Sequence, residues 1–282
     1  MLDLLAARPE LFVGLAALFG LLLGSFLNVV IHRLPRMLEQ EWREQCAWLD
    51  GREPEPAEPY DLIRPRSSCP ACGHGIVWYQ NIPVLSWLFL RGRCSSCGTA
   101  ISPRYPLVEA LTGLLFALAA WRFGFGWHAV TAWVLLAYLV AMSFIDLDTQ
   151  LLPDVLTLPL AWIGLLVNLA GVFVSLDEAV LGAILGYLSL WAVYHLFRLL
   201  TGKEGMGFGD FKLLAALGAW MGWKMLLPIV LLASLSGALV GIALILLAGH
   251  DRAKPIPFGP WLALGGVLAL FWGDVAVKAW LG

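Results

Sequence analysis

Charge is scarce in this sequence. Only 13% of the 282 residues are Asp, Glu, Lys or Arg, while 60% are hydrophobic, and the mean hydropathy is +0.80. A soluble domain of this length needs more polar surface than 18 basic and 20 acidic side chains can supply, which excludes an ordinary water-soluble globule. An excess of one sign is also missing: the formal net charge is −2, with no basic tail, so no nucleic-acid partner is expected. No low-complexity tract is present, and no strand leads into a glycine-rich loop, so a soluble nucleotide-binding fold is not expected either.

Long apolar runs take the place of charge. Residues 11–31 (LFVGLAALFGLLLGSFLNVVI) span about 30 Å as a helix, enough for the hydrocarbon core. HRLPR follows rather than a small-x-small cleavage site, which reads as an uncleaved anchor. Further helices are expected at about 105–121, 125–145, 155–174, 179–199, 211–223, 225–248 and 258–280, the sixth being short for a crossing. The expected fold is an all-α polytopic membrane protein of about eight transmembrane helices with one small polar insert. The 14 tryptophans and 14 phenylalanines suit such a surface. By composition the chain divides into a first transmembrane helix at 11–32, a cytoplasmic domain at 33–104 and a membrane-embedded domain at 105–282.

The insert carries nine of the 18 basic residues. Its first half, roughly 34–63, has scattered glutamates and the proline-punctuated GREPEPAEPYDLIRP, and reads as an irregular surface loop. With eight crossings the insert shares its side with Arg198, Lys203, Lys212, Arg252 and Lys254, whereas Arg8, Arg122, Lys224 and Lys278 lie opposite. The Lys/Arg bias therefore places the insert and the loops after the third, fifth and seventh helices in the cytoplasm, with both termini outside.

Four of the five cysteines form two C-x2-C pairs, Cys69/Cys72 and Cys94/Cys97, each followed by glycine. Two such knuckles bring four thiolates to one tetrahedral ion. Soft sulfur ligands favour zinc, with iron as the alternative, and a cytoplasmic location disfavours disulfides. The ion would fold an insert that lacks an apolar core of its own. Cys46 falls outside the pattern, and His74 is not needed as a ligand.

Acids beside apolar runs are few and therefore informative. Asp146, Asp148 and Asp154 follow the third run, and Asp210 closes Gly207-Phe208-Gly209-Asp210 before the sixth. Two carboxylates at one membrane face can share a proton, one activating water while the other polarises a scissile carbonyl. Ion or proton transport and plain structural charge are the competing readings. Solvated loop charge fits Asp148, and a cap of the fourth helix fits Asp154.

Taken in order, GSFLNVVIHRLP (24–35), CPAC…CSSC (69–97), SPRYPLVE (102–109), FIDLDTQLLPD (144–154) and GMGFGDFKL (205–213) resemble the bacterial type IV prepilin peptidases over essentially the whole chain. The resemblance implies a bifunctional inner-membrane aspartic peptidase. Such an enzyme cuts the basic leader of type IV prepilins and type II secretion pseudopilins after glycine, on the cytoplasmic side. It then methylates the new N-terminal residue with S-adenosylmethionine. The catalytic pair of the family falls on Asp146 and Asp210. Spacing does not choose between Asp146 and Asp148, which a continued helix turns to different faces; the resemblance does. The tetracysteine insert matches the bifunctional members rather than shorter, peptidase-only relatives.

For the methyl donor the sequence offers only Gly24, Ser25, Asn28, Arg33 and Glu109. Gly24, Asn28 and His32 share a helical stripe beside Ser25, which equally describes a small-residue packing seam with Asn28 joining two helices. Arg33 equally suits a topology anchor. Glu109 pairs with Arg104 or receives the new amine of the cut pilin. Asn168 and His195 are read as helix packing, and Asp274 with Lys278 as an i,i+4 ion pair. A transporter, a monofunctional peptidase and a secretion scaffold remain as alternatives, and spacing does not address oligomeric state.

Overall fold

The computed structural model describes residues 2–53, 59–248 and 256–281. Loop residues Arg252 and Lys254, prolines 54 and 56 of the insert, and the side chains of Asp274 and Lys278 lie outside what it describes.

Helices account for nearly all of the regular structure. They are α1 (Leu2–Ala7), α2 (Pro9–Leu49), α3 (Leu85–Phe89), α4 (Arg104–Phe123), α5 (Trp127–Thr149), α6 (Asp154–Leu169), α7 (Leu176–Thr201), α8 (Phe208–Met221), α9 (Leu226–Ala248) and α10 (Gly259–Leu281). Among the described residues no strand forms, and only two isolated bridges occur. All eight expected runs are helical. Five helical segments are long and apolar enough to cross a membrane, whereas Asp154–Leu169 and Gly259–Gly273 are shorter apolar segments. On α9, Leu227, Leu231, Leu235 and Leu239 stand exposed at four-residue steps. So continuous an apolar face suits contact with lipid.

One expectation is corrected. The first half of the insert is not an irregular loop from residue 34: α2 runs on to Leu49. Residues 37–49 contain neither Gly nor Pro and are mostly good helix formers. The Gln40 side chain donates to Glu44 one turn on at 3.1 Å, a spacing that supports an exposed helix. The prolines that break the pattern come only later.

The chain folds as two compact units, Met1–Phe125 and Gly126–Gly282. In the first, α2 and α4 pack antiparallel along a seam of small residues. A Cβ on Gly20 would meet the Gly113 Cα at 2.8 Å, and one on Gly24 the Glu109 Cα at 2.7 Å. One four-residue step further, the Asn28 amide donates to the Tyr105 carbonyl at 3.1 Å. Sequence composition changes at 104/105, but the compact unit ends at Phe125 because α4 belongs with α2.

In the second unit α8 is the central element. Ten of its residues from Asp210 to Met221 are buried, as expected of a helix covered on all sides. It lies against α6, α7 and α10. Against α7 it fits through glycines: a Cβ on Gly186 would lie 2.7 Å from the Leu214 carbonyl oxygen. Trp220 fills the notch left by Gly164 and donates its indole N–H to the Leu160 carbonyl at 2.9 Å. Asn168 ties the ends of α6 and α8, donating to the Ala219 and Trp220 carbonyls at 2.8 and 2.9 Å while its oxygen accepts the Phe173 and Val174 amides. The packing role expected of Asn168 holds. His195 lies against Trp191, the two rings tilted by 54° with centroids 4.3 Å apart.

Candidate active site and metal centre

Asp146 lies in the last turn of α5 and Asp210 in the first turn of α8. Both carboxyls are almost withdrawn from solvent, at 5% and 6% exposure, and both line one cavity of about 310 Å³. The wall opposite is Leu152, the Gly205–Gly207 loop and residues Ile256 to Phe258. Because α5 continues past Ile145 to Thr149, residues 146 and 148 face different ways: Asp146 turns inward and Asp148 is exposed.

Two glycines make room for this pair. The Gly259 amide at the start of α10 donates to Asp146 Oδ2 at 3.0 Å, and a Cβ there would fall 2.6 Å from that oxygen. A Cβ on Gly209 would strike Leu152 at 2.6 Å. Sequence reasoning missed Gly259, Leu152 and Gln150. The signal for Gly259 was a glycine directly before Pro260 at the start of an apolar run, the pattern of a helix entrance. Gln150 caps α5 in the left-handed region at φ 54° and closes onto the Asp146 carbonyl at 2.9 Å. A non-glycine residue held there at the rim of a cavity marks a constrained site.

The expectation for Asp154 is corrected. Pro153, not Asp154, is the N-cap of α6, and the Asp154 carboxylate instead takes the Lys212 ammonium at 2.6 Å. That pair joins the first turns of α6 and α8 beside the cavity.

In the first unit the four cysteines converge. One sulfur from each lies within 4.8 Å of all the others, and Cys69 and Cys97 are 3.8 Å apart. Ligands 2.3 Å from a tetrahedral zinc stand about 3.8 Å from one another, so the donor set fits. The two knuckles share one backbone. Cys69 N–H donates to the His74 carbonyl and Gly73 N–H to the Cys69 carbonyl; Cys94 pairs likewise with Thr99, and Gly98 with Cys94. Gly73 and Gly98 have φ of 71° and 72°, which a side chain would oppose. The Thr99 hydroxyl and amide lower the Cys97 thiol to about 6, and the Cys72 and Ala71 amides lower that of Cys69. Against the His74 amide, the neighbouring thiols and burial push Cys72 up to about 11. Four thiols this close cannot all ionise without a cation among them. From Ile63 to Ile101 Pro83 is the only buried side chain, so a bound ion would be the centre of this fold. Cys46 lies apart and exposed.

The five residues considered for the methyl donor all hold this unit together. Gly24 and Asn28 join α2 to α4 as described. The Ser25 hydroxyl bonds the Glu109 carboxylate, whose Oε2 also accepts the Val84 amide at 2.7 Å. Arg33 is buried, not a free topology anchor. Its guanidinium donates to the Asp61 and Pro65 carbonyls at 2.8 and 2.6 Å and lies 5.8 Å from the Tyr60 ring centroid. Asp61 in turn accepts the Arg64 and Ile63 amides, which hold its carboxyl below the usual range.

Comparison with known proteins agrees with this arrangement. Residues 18–123 match the family described as the bacterial peptidase A24 N-terminal domain, and residues 133–242 the type IV leader peptidase family. A protein of Pseudomonas aeruginosa named prepilin leader peptidase/N-methyltransferase is 54% identical over all of this chain and 97% of its own. The chain belongs to the type IV leader peptidase family. Relatives of the same name from Aeromonas salmonicida and Xanthomonas campestris are 56% and 51% identical, covering 100% and 97% of this chain and 98% and 96% of theirs. No solved structure matches the chain. The two family matches fall one within each compact unit. The leader-peptidase match contains both Asp146 and Asp210, and the N-terminal match contains all four cysteines.

Proposed function

We propose that this membrane protein removes the leader of type IV prepilins and type II pseudopilins after glycine and then methylates the exposed N-terminus. The observation that carries the reading is the buried pair, Asp146 and Asp210, lining a single cavity at the ends of α5 and α8. The peptidase chemistry belongs to residues 126–282 within the 105–282 stretch, and methyl transfer to the N-terminal unit. The Lys/Arg distribution supports an inner-membrane location with the insert and both aspartates on the cytoplasmic side.

Two carboxyls almost withdrawn from solvent in one cavity are most stable sharing a proton. Asp146 holds the Gly259 amide on one oxygen and serves as the carboxylate; Asp210 carries the proton. Asp146 takes a proton from water, and the hydroxide attacks the carbonyl carbon of the leader's last glycine. Asp210 hydrogen-bonds the carbonyl oxygen as it becomes an oxyanion. Collapse breaks the C–N bond, the leaving nitrogen is protonated, and the pair returns to its one-proton state. Gly207, close before Asp210, leaves open space for a substrate backbone.

In the N-terminal unit the four cysteines would hold zinc, which would fold the insert. When bound, S-adenosylmethionine would supply an electrophilic methyl, the S–CH3 bond breaking as the new amine is methylated, with S-adenosylhomocysteine and a proton as the other products. Gly24, Ser25, Asn28, Arg33 and Glu109 serve this half by holding the insert, α2 and α4 in place.

The test is the intact mass of a detergent-solubilised prepilin after incubation with S-adenosylmethionine and wild type, D146N or D210N. Wild type is expected to yield a pilin without its leader and one methyl heavier, while both variants leave the precursor whole. Cleavage without the methyl would reduce the assignment to a peptidase. Retained cleavage in either variant would overturn the dyad.

A further inference from the structure

The insert contains an apolar segment with one face exposed in its own unit. From Ile82 to Leu90 the sequence is uncharged, IPVLSWLFL, and it follows a 3-10 turn at Trp78–Asn81. Trp78 and Phe89 are 81% and 84% exposed, and Ile82, Leu85 and Leu88 are exposed as well. On α3, Leu85, Leu88 and Phe89 are spaced i, i+3, i+4 and so share a face. In a water-facing domain such a cluster would be an aggregation hazard.

Its depth is set by tethers. The Val84 amide at the head of α3 donates to Glu109, which also bonds Ser25. Glu109 lies five residues inside α4 and Ser25 six residues before the end of the apolar run of α2. At 1.5 Å per residue this carboxylate lies about 6–9 Å inside their apolar spans, which begin at Tyr105 in α4 and end at Ile31 in α2. The Trp87 indole N–H also donates to the Ile101 carbonyl, just before α4. Val84 and Arg91 bracket α3 with φ of 60° and 52°. Such conformations are costly for side-chain-bearing residues, above all for a β-branched one, and turn the chain sharply at both ends. Beyond the second corner come Arg91 and Arg93, suited to headgroup phosphates, while the flanking Leu22, Phe26, Leu107 and Leu114 of α2 and α4 are exposed apolar side chains of the membrane helices.

We propose that residues 78–89 form a monotopic interfacial segment whose apolar face dips into the lipid bilayer beside α2 and α4, so that the insert is seated on the membrane rather than free in the cytoplasm. The occupant is lipid because the segment is anchored at the depth of the upper acyl chains and continues the lipid-facing surface of the two helices. Trp78 at one end and Arg91 at the other match the preferences of the interface. This seat keeps the cysteine knuckles close to the lipid surface. The inference rests on the membrane fold and not on the peptidase reading.

The test uses the full-length, metal-loaded protein in phosphatidylcholine/phosphatidylglycerol liposomes, with a fluorescent amino acid at position 89 or, separately, at 88. Position 48, on the polar extension of α2, serves as the aqueous control. Quenching by lipid nitroxides at the headgroup and upper chain is compared with quenching by iodide. At 88 and 89 the lipid nitroxides should quench several-fold more than iodide does, with the reverse at 48. Adding L85D should shift position 89 toward iodide. Iodide quenching at 88 and 89 equal to that at 48 would overturn the proposal. So would protection from both quenchers, which would mean that protein covers the face.

Discussion

Asp146 and Asp148 have the same chemistry and lie two residues apart, yet only Asp146 enters the cavity that holds Asp210. A helix that continues through both positions separates them by about 200°, so D148N should keep close to wild-type cleavage where D146N loses it, as initial rates on one prepilin will show. Gly259 is a sharper probe. A methyl at this position falls on Asp146 Oδ2, so Gly259→Ala should lower the cleavage rate roughly 10- to 100-fold by displacing the carboxylate. The circular dichroism spectrum and zinc content should remain unchanged. Arg33 uses two nitrogens to reach two carbonyls, a geometry that Lys cannot copy. Arg33→Lys should therefore open residues 60–65 to proteolysis about as much as Arg33→Ala does.

Among the elements, the α2–α4 pair depends on a backbone approach that only small residues permit. Gly24→Leu pushes a side chain against the Glu109 Cα and should destabilise the pair by about 1–3 kcal/mol, read as a lower unfolding midpoint of the N-terminal unit. The insert depends on its ion instead. Removing the metal with a chelator should abolish amide-exchange protection over 67–101 while leaving α5 and α8 protected, since those helices belong to a unit with its own core. The extension of α2 to Leu49 belongs to this scale as well. Its polar surface hides the helix from a search for apolar runs, and only the absence of Gly and Pro from 37 to 49 announces it.

At the scale of the whole molecule, five cysteines report both metal and topology. Cys46 is exposed and apart from the cluster. A membrane-impermeant maleimide added to inverted vesicles should modify one thiol per metal-loaded chain and five after chelation. In right-side-out vesicles it should modify none if the insert faces the cytoplasm. The two units match separate family descriptions, which fits a chain that joins two activities on one membrane substrate.

Sequence alone determined the membrane class, the all-α architecture and the knuckle pairs, and it narrowed the candidate acids to a few. Each of these is written in composition or in local spacing: apolar runs of bilayer length, C-x2-C-G repeats, and carboxylates rare enough beside apolar helices to stand out. Tertiary structure decided what depends on contacts between distant positions. It turned Asp146 rather than Asp148 toward Asp210 and brought the Gly259 amide to that carboxylate from 113 residues away. It paired Asp154 with Lys212. It also gave Ser25, Asn28, Arg33 and Glu109 structural partners, because the energy of a buried polar group is set by what faces it across the fold, and no spacing along the chain encodes that.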